Sequence, residues 1–321
     1  MPPSGNKHYE WKQPMKTEPD ISVVVPVFNG EARLKELFTR TRDVITSMNL
    51  DFEFVFVDDG SIDRSWQVIR ELKAEHRGYV RAFKLARNSG QQAATICGLE
   101  QAKGTWVVTL DDDLQSLPEE IPTLWEKANC MQVDVVYGVC RDPKHEFLHR
   151  VGSRVFRVLL QKVAPNIPAG SSFRLIRGEI LQTLPQRMGP GIFVDPALAW
   201  LTTDIATINV QHAERNDGRS GYSFFKLVRM ALTILVIYSA LPLQIMIWFG
   251  LFSALISFSL GLYYLILKLT ANVAVGFSAL IVTMTFAFGV ILASLGIIGL
   301  YISKIYLAGT GQPGFVVKSE I

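Results

Sequence analysis

Short apolar runs alternate with segments of helical periodicity along the chain up to Cys140. The apolar runs are bounded by polar and turn residues, so they predict buried strands at residues 21–25, 52–57, 80–85, 106–110 and 133–137. The segments between them predict helices at residues 32–48, 64–75, 91–101 and 119–131. This alternation predicts an α/β domain over residues 21–222, with a mostly parallel sheet and helices on both faces.

Two much longer apolar segments follow at residues 243–267 and 273–301, and residues 268–272 predict a short turn between them. About 20 apolar residues are enough to cross the ~30 Å hydrocarbon core of a bilayer as a helix. The alternative is a pair of buried core helices, but a soluble core helix rarely runs this long without a polar face, and these segments have none. Residues 243–303 therefore predict a transmembrane hairpin.

The charges around the hairpin predict its orientation. Lys268 is the only charged residue between Ala231 and Ser303, whereas Lys226, Arg229 and Lys304 lie near the outer ends. The positive-inside rule therefore places both ends in the cytoplasm. Residues 223–242 predict an interfacial amphipathic helix, residues 304–321 a cytoplasmic tail, and residues 1–20 a flexible lead-in without the apolar core of a signal peptide.

Composition excludes several classes of protein. The formal net charge of +3 is not that of a nucleic-acid-binding protein. The 3 cysteines have no metal-ligand spacing, and their odd number fits a reducing compartment. No glycine-rich dinucleotide fingerprint or P-loop is present, which weighs against dinucleotide-dependent oxidoreductases and P-loop NTPases.

An acidic cluster, Asp111-Asp112-Asp113, directly follows the fourth predicted strand. Alternation along an extended chain would put Asp111, Asp113 and Gln115 on one side. Oxygen ligands of this kind suit Mg²⁺ or Mn²⁺, which would also bridge a diphosphate. The alternative is a solvated acidic loop with a helix cap at Ser116.

Polar loops also follow the first three strands, at residues 26–31, 58–61 and 87–90. Because the carboxyl ends of parallel strands meet at one edge, these loops should converge with the acidic cluster. Asp58 and Asp59 could accept hydrogen bonds from a nucleobase or a ribose. A turn with Ser61 or Asp63 as a helix cap is equally compatible with this segment.

A basic amphipathic helix is predicted within residues 141–162. Arg150, Arg154 and Arg157 share one face, and apolar residues share another, which is typical of a membrane-surface element. Arginines here, among them Arg141, could bind a lipid phosphate through bidentate contacts. Packing of this helix on the globular domain is the alternative.

Six motifs carry a resemblance to a known family, in the same order and spacing: VVPVFN at 24–29, VDDGS at 57–61, RNSG at 87–90, DDDLQ at 111–115, GSSFRL at 170–175 and RNDGRSGY at 215–222. The chain resembles glycosyltransferase family two, with its GT-A fold. With the terminal hairpin it is similar to the polyprenyl-phosphate glycosyltransferases, which include dolichyl-phosphate mannose synthases, polyisoprenyl-phosphate glucosyltransferases and aminoarabinose transferases of lipid A modification. The resemblance covers nearly the whole chain.

The resemblance implies roles for particular residues. Nucleotide contacts are implied for Pro26, Phe28, Glu31, Asp58, Asp59, Asn88 and Asp112. A Mg²⁺ or Mn²⁺ site is implied for Asp111, Asp113 and Gln115. Catalytic roles are implied for Asp113 and Arg174. Contacts to the acceptor phosphate are implied for Arg141, Arg150, Ser172, Arg174, Arg215 and Ser220.

The chain departs from the family pattern at two positions. Gly30 interrupts an Asn-Glu-Glu sequence and leaves Glu31, and Ser172 replaces an Asp that is sometimes proposed as a base. A lipid phosphate is already anionic at pH 7, so it needs placement and charge screening rather than a base. The second departure therefore puts a base at position 172 in doubt and leaves the reaction intact.

The implied function is inverting transfer of a sugar from a nucleotide-sugar, with UDP favoured over GDP, to a polyprenyl phosphate such as undecaprenyl phosphate. The implied location is the bacterial inner membrane, with the catalytic domain in the cytoplasm. Small residues at Gly289, Ala293, Gly296 and Gly299 predict subunit association through the second span, with packing inside the hairpin as the alternative.

Two other functions are compatible with part of the pattern. A processive polysaccharide synthase would share the donor site, but it usually has a Gln-x-x-Arg-Trp motif and more spans, and neither is present. A non-enzymatic membrane scaffold would leave the acidic cluster and the downstream arginines without a role.

Overall fold

The computed structural model describes residues 18–140, 171–183, 193–211, 241–271, 277–310 and 313–321. These residues belong to two compact units. The first is built around a β-sheet and includes the segment after residue 312, and the second contains the two long apolar helices.

The sheet has eight strands, in the order β7-β5-β6-β4-β1-β2-β3-β8. Their bounds are β1 Ile21–Val27, β2 Phe52–Asp58, β3 Val80–Leu85, β4 Trp106–Thr109, β5 Val135–Cys140, β6 Arg174–Arg177, β7 Ile205–Val210 and β8 Val317–Glu320. Strands β1 to β4 are mutually parallel, and β5 pairs with β7 in parallel. Only β6 and β8 run in the opposite direction among the described strands, so the predicted mostly parallel sheet is confirmed.

Helices cover both faces of this sheet. Their bounds are α1 Leu34–Ser47, α2 Ser65–Glu75, α3 Gln91–Gln101, α4 Ile121–Met131, α5 Gly178–Leu181 and α6 Val194–Leu201. The apolar stripe of α1, from Leu34 to Ile45, packs with α2 and α4 against the face that carries Val23 and Val25. The third helix lies on the opposite face, against Val24. Every residue of β1 and β2 is buried, as expected for parallel strands covered on both faces.

The structure differs from the predicted elements at several boundaries. The first strand continues through Pro26 to Val27, because Pro26 is still in register with Val57 of β2. The fourth helix begins at Ile121, after a short 3-10 turn at Pro118–Glu120. Strands β6, β7 and β8 were not predicted. They are short, and their residues lack a continuous apolar run, so neighbouring strands rather than local sequence determine them.

Strand β8 revises the predicted cytoplasmic tail. It pairs antiparallel with β3, and Ala82 and Ile321 exchange two backbone hydrogen bonds of 2.9 Å. The Ala86 amide donates to the Val316 carbonyl at 2.8 Å. All four residues of β8 are exposed, so backbone pairing with the sheet edge holds this strand. The last part of the chain is therefore a strand of the globular domain.

The second unit contains two long helices, α7 Leu241–Ala271 and α8 Phe277–Gly309. Residues 268–271 are helical rather than part of the predicted turn, and α8 extends to Gly309, beyond the predicted residue 301. Two stretches, Leu243–Tyr263 and Phe286–Ser303, have mean hydropathies of 2.0 and 2.1 and are long and apolar enough to cross a membrane. Both are 0% buried within the protein, so their apolar side chains are left for lipid or another chain.

Other predictions for this part of the chain fall outside the described residues. These include the interfacial helix at 223–240 and the basic helix at 141–162. In α8, a Cβ atom added at Gly289, Gly296 or Gly299 would meet nothing within 4 Å. Subunit association through this helix stays a prediction.

Close packing of α3 on the sheet yields a test of the fold. A Cβ atom at Gly98 would lie 2.3 Å from Val24 Cγ1 and 3.3 Å from Val57 Cγ2. We expect Gly98→Ala to destabilise the protein by about 1–3 kcal/mol, measured by thermal unfolding of the full chain in detergent. Adding Val24→Ala should recover part of the loss. Gly78→Ala, where a Cβ meets nothing within 4 Å, is the control, and equal melting temperatures for the two glycine variants would contradict this packing.

Candidate active site

The loops that follow β1 and β2 hold each other through reciprocal hydrogen bonds. The Asn29 amide donates to Ser61 Oγ at 3.0 Å, and the Ile62 amide donates to Asn29 Oδ1 at 3.0 Å. The Gly30 amide donates to Ser65 Oγ at 2.9 Å. Three contacts in both directions fix the relative position of the two loops.

Two carboxylates complete this contact at the start of α2. The Glu31 amide donates to Asp63 Oδ2 at 3.2 Å, and Glu31 Oε2 accepts from the Arg64 amide at 2.7 Å. Asp63 Oδ1 accepts from the Ser65 amide at 3.0 Å. These bonds satisfy amides that the first helical turn leaves without partners. Glu31 thus has a structural contact, and its implied nucleotide contact stays a prediction.

Asp59 binds the loop that follows β3. Its Oδ1 accepts from the Ser89 amide at 2.6 Å and its Oδ2 from the Gly90 amide at 2.8 Å. Asp59 is 2% exposed, and burial raises its pKa against the lowering effect of these two hydrogen bonds. Asp59 therefore connects the ends of β2 and β3.

Asp58 is fully buried beside it. Its Oδ1 accepts from the Ser61 amide at 3.1 Å, and Lys84 Nζ lies 3.5 Å from its Oδ2. Among the described residues, no donor meets hydrogen-bond geometry at that Oδ2. Both Asp58 and Asp59 therefore bind the loops of the site, and direct contact with a nucleobase or ribose stays a prediction.

Asp112 connects the acidic cluster to the first loop. Its Oδ2 accepts from the Phe28 amide at 3.0 Å, and Arg33 Nε donates to its carbonyl at 3.2 Å. Burial raises the pKa of Asp112 to about 6. A Cβ atom at Gly30 would lie 2.5 Å from Asp112 Oδ2. The departure from the family pattern at Gly30 thus leaves room for this carboxylate.

Asp111 and Asp113 each have hydrogen-bond donors on both carboxylate oxygens. Asp111 Oδ1 accepts from Gln91 Nε2 at 2.6 Å, and its Oδ2 accepts from Ser172 Oγ. Asp113 Oδ1 accepts from the Gln115 amide at 3.0 Å, and its Oδ2 accepts from Gln115 Nε2 at 2.5 Å. Burial, and to a smaller extent the charge of Asp113, raises the pKa of Asp111.

The prediction that alternation along an extended chain puts Asp111, Asp113 and Gln115 on one side was wrong. The strand ends at Thr109, the chain turns at Asp112 and Asp113, and Leu114 has a φ of 58°. Residues 111–115 are therefore not extended, and a turn rather than strand alternation brings Gln115 to Asp113. Within the described ranges, no three His, Cys, Asp or Glu side chains form a group that could hold a metal ion.

Strand β6 brings a buried ion pair next to the acidic cluster. Arg174 Nε and Nη2 lie 2.7 and 2.6 Å from Asp195 Oδ1, and Tyr137 Oη donates to the same oxygen at 3.2 Å. Arg174 Nη1 donates to the Ser172 carbonyl at 3.2 Å, and Thr109 Oγ1 donates to that carbonyl at 2.5 Å. Ser172 is therefore held on both sides while its hydroxyl reaches Asp111.

Arg174 lies in a short polar stretch of the sequence, outside the apolar periodic segments, and so does not look like a core residue, but the structure places it in the core. Arg174 is 3% exposed and pairs in register with Thr109 of β4 and Tyr137 of β5. Its position follows from the insertion of β6 between these two strands. Because the guanidinium faces Asp195, its geometry supports a structural contact rather than direct binding of the acceptor phosphate.

The remaining predicted residues divide into two groups. Phe28 and Asn88 are exposed on the rim formed by the loops, whereas Pro26 is buried within β1. Arg141, Arg150, Arg215 and Ser220 lie outside the described residues.

Sequence reasoning missed Gln91, Gln92, Tyr137 and Asp195 as site residues. Gln91 directly follows the RNSG motif, a signal that pointed to it. Asp195 precedes Pro196 at the start of α6 and looks locally like an acidic residue in a first helical turn. Only the tertiary structure brings it to Arg174.

The chain is similar to several known proteins. The sequence profile described as "Glycosyl transferase family 2" matches residues 22–184. The undecaprenyl-phosphate 4-deoxy-4-formamido-L-arabinose transferase of Edwardsiella ictaluri is 31% identical over 95% of this chain and 95% of that protein. The protein of that name from Pseudomonas paraeruginosa is 33% identical over 94% and 90%. Among solved structures, the glucosyl-3-phosphoglycerate synthase of M. tuberculosis is 22% identical over 68% of this chain and 80% of that chain, with a TM-score of 0.49.

The burial of Arg174 predicts that its removal lowers the stability of the fold. Arg174→Ala would leave Asp195 without its charge partner in the interior, so we expect a loss of about 3–5 kcal/mol in unfolding free energy, seen as a lower melting temperature. Arg177→Ala on the same strand removes a more exposed pair with Asp134, with 33% of the arginine side chain accessible, and should cost less. A wild-type melting temperature for Arg174→Ala would show that the pair with Asp195 contributes nothing to stability.

Proposed function

The chain belongs to glycosyl transferase family 2, and on that premise we propose that it transfers a sugar from a nucleotide-sugar to undecaprenyl phosphate. We further propose a UDP-linked donor, a bacterial inner-membrane location and a catalytic domain on the cytoplasmic side. The observation that carries the proposal is similarity over nearly the whole chain, terminal helices included, to relatives named undecaprenyl-phosphate 4-deoxy-4-formamido-L-arabinose transferases.

The geometry of the strand-end loops supports binding of a nucleotide. Three loops and the acidic cluster are fixed by carboxylate hydrogen bonds at one edge of the sheet, where ligands of parallel sheets bind. Phe28, 47% exposed, presents an aromatic ring at this edge, and Asn88 presents an amide. We assign the base and ribose to these loops and the diphosphate to the acidic cluster.

The donor set of the acidic cluster fits a divalent cation. Asp111 and Asp113 supply carboxylate oxygens. The Gln115 amide nitrogen faces Asp113, and a 180° flip of the amide would bring its oxygen to the same place. Each carboxylate oxygen that accepts one hydrogen bond keeps a second lone pair. A bound Mg²⁺ or Mn²⁺ would screen the charge of the donor diphosphate and of the acceptor phosphate.

The proposed reaction is a single displacement. A phosphate oxygen of the lipid forms a bond to the anomeric carbon while the bond from that carbon to the nucleoside diphosphate breaks, and the configuration inverts. The nucleophile is already anionic, so no side chain has to remove a proton from it. Ser172 fits this requirement, because its hydroxyl donates to Asp111 and does not serve as a base.

The sheet connectivity supports the proposed hairpin. Strands β7 and β8 belong to one sheet, and both apolar helices lie between them in the chain. Two strands of one sheet lie on the same side of a membrane, so the chain between them must cross it an even number of times. Two crossings agree with the two apolar stretches.

Direct assay of the purified full chain tests the proposed function. The protein would be incubated with undecaprenyl phosphate, Mn²⁺ and a panel of donors that includes UDP-glucose, GDP-mannose and UDP-4-deoxy-4-formamido-L-arabinose, followed by mass spectrometry of the lipid. We expect one sugar per lipid phosphate with a UDP donor. Polymer growth would indicate a processive synthase, and an unmodified lipid with every donor would contradict the proposal.

Cation dependence follows from the proposed diphosphate site. We expect excess chelator to abolish transfer. Asp113→Asn should lower turnover by ~10²-fold, because the cation stabilises charge in the transition state by several kcal/mol and each tenfold in rate corresponds to about 1.4 kcal/mol. Asp43→Asn changes an exposed carboxylate on α1 and should behave as wild type. Full turnover in excess chelator would rule out the cation.

Membrane topology can be tested with single cysteines in intact cells, after replacement of the 3 native cysteines. We expect a cysteine at Ala271, near the predicted turn, to react with an impermeant reagent from outside. A cysteine at Lys318, on the exposed strand β8, should react only after the inner face is opened. Labelling of both positions from the same side would contradict a two-span hairpin.

A further inference from the structure

We propose that Asp195 is a positioning residue for sugar transfer, which acts through Arg174 and Ser172 to hold the carboxylate of Asp111 in place. This inference rests on the proposed function, because it assigns Asp111 to the diphosphate site. No motif pointed to Asp195, which follows Asp111 by 84 residues in the sequence. In the fold, Arg174 and Ser172 connect the side chains of Asp195 and Asp111.

The first contact in this chain is the ion pair of Asp195 with Arg174. One carboxylate oxygen, Asp195 Oδ1, receives Nε and Nη2 of the arginine and the hydroxyl of Tyr137. The arginine side chain is 4% exposed and that of Asp195 is 20% exposed. Water therefore has little access to the guanidinium, whose orientation depends on Asp195.

The second contact leads from Arg174 to Asp111. Arg174 Nη1 donates to the Ser172 carbonyl at 3.2 Å, which fixes the backbone that carries the Ser172 hydroxyl. That hydroxyl donates to Asp111 Oδ2. Through these bonds, the position of the Arg174 guanidinium is transmitted to one oxygen of Asp111.

A separate path reaches the other oxygen of Asp111 and makes the contacts a closed ring. Gln91 Nε2 donates to Asp111 Oδ1 at 2.6 Å, and the adjacent Gln92 accepts from the Val194 amide at 3.0 Å. Val194 directly precedes Asp195. The first residues of α3 and of α6 are thus bonded to each other, and Gln91 of α3 binds Asp111. The ion pair of Asp195 with Arg174 closes the ring on the other side of Asp111.

The electrostatics predict what happens when Asp195 loses its charge. The positive charge of Arg174 is then no longer balanced at 2.6 Å, and Asp111 is the remaining carboxylate among the groups whose charge acts on the guanidinium. A guanidinium that turns toward Asp111 would compete with a divalent cation for that carboxylate. Weaker cation binding is therefore the specific consequence, beyond any loss of stability.

The same strand provides a matched control pair. Arg177 Nε lies 2.9 Å from Asp134 Oδ1, and its guanidinium lies 4.8 Å from the centre of the Trp106 ring. Arg174 lies in the same way over Tyr137, at 5.7 Å. Asp134 has no contact with Asp111, Ser172 or Gln91 among the described interactions. Asp134→Asn therefore removes an Arg–Asp pair of β6 without touching the ring.

The test compares Asp195→Asn with Asp134→Asn in the full chain. Mn²⁺ would be titrated in the presence of UDP, with bound Mn²⁺ followed by electron paramagnetic resonance, and turnover and melting temperature would be measured in parallel. We expect both variants to have lower melting temperatures than the wild type. Only Asp195→Asn should need about 10–100-fold more Mn²⁺ for half-saturation, as is typical when a partner of a metal ligand is lost.

A second variant covers the case in which Asp195→Asn does not fold. Ser172→Ala removes only the hydroxyl that reaches Asp111, and we expect it to raise the Mn²⁺ requirement in the same direction. In the double variant, the fold-increase in the Mn²⁺ requirement should be smaller than the product of the two single fold-increases, because both residues act along one path. Asp195→Glu, which keeps the charge, should recover part of the loss.

The outcomes separate this inference from the proposed function. Equal Mn²⁺ requirements for wild type, Asp195→Asn and Ser172→Ala would overturn the positioning role, as would the absence of cation-dependent UDP binding in the wild type. If Mn²⁺ binding shifts as expected but no sugar reaches undecaprenyl phosphate, the positioning role stands and the assignment of the acceptor fails.

Discussion

Carboxylates gathered at the ends of parallel strands need hydrogen-bond donors, and the structure around the candidate site depends on this requirement. Asp59, Asp63 and Asp112 obtain their donors from backbone amides of neighbouring loops. A buried carboxylate without donors would be costly, so each bond holds a loop in one position. The acidic residues that would bind ligand therefore also build the rim on which the ligand would lie.

This arrangement suits a reaction that needs placement more than proton transfer. The loops after β1, β2 and β3 are connected to one another by hydrogen bonds between the chain's own residues, which fix the rim on which a donor would be placed. The only base position that the family pattern suggested holds Ser172, whose hydroxyl is directed to Asp111. An anionic lipid phosphate is a nucleophile that does not need such a base.

The short strands added beyond the parallel core have distinct consequences. Strand β6 carries Arg174 into the interior beside the acidic cluster, where Asp195 balances its charge. Strand β8 covers the edge of β3 and brings the chain back to the sheet after the apolar helices. It also satisfies amides of an edge that would otherwise be open to another chain.

By itself the sequence determined the parallel strands β1 to β4, the helices between them and the two long apolar helices, because each is marked locally by an apolar run or by a helical period. It also indicated that polar residues such as Asp59 and Asp111 follow strands, and that they gather at one edge. Only the tertiary structure decided that Arg174 is buried, that Asp195 pairs with it, and that residues 317–320 form a strand. Those features depend on pairing between segments far apart in the chain, and the energy that selects them comes from neighbours rather than from local pattern.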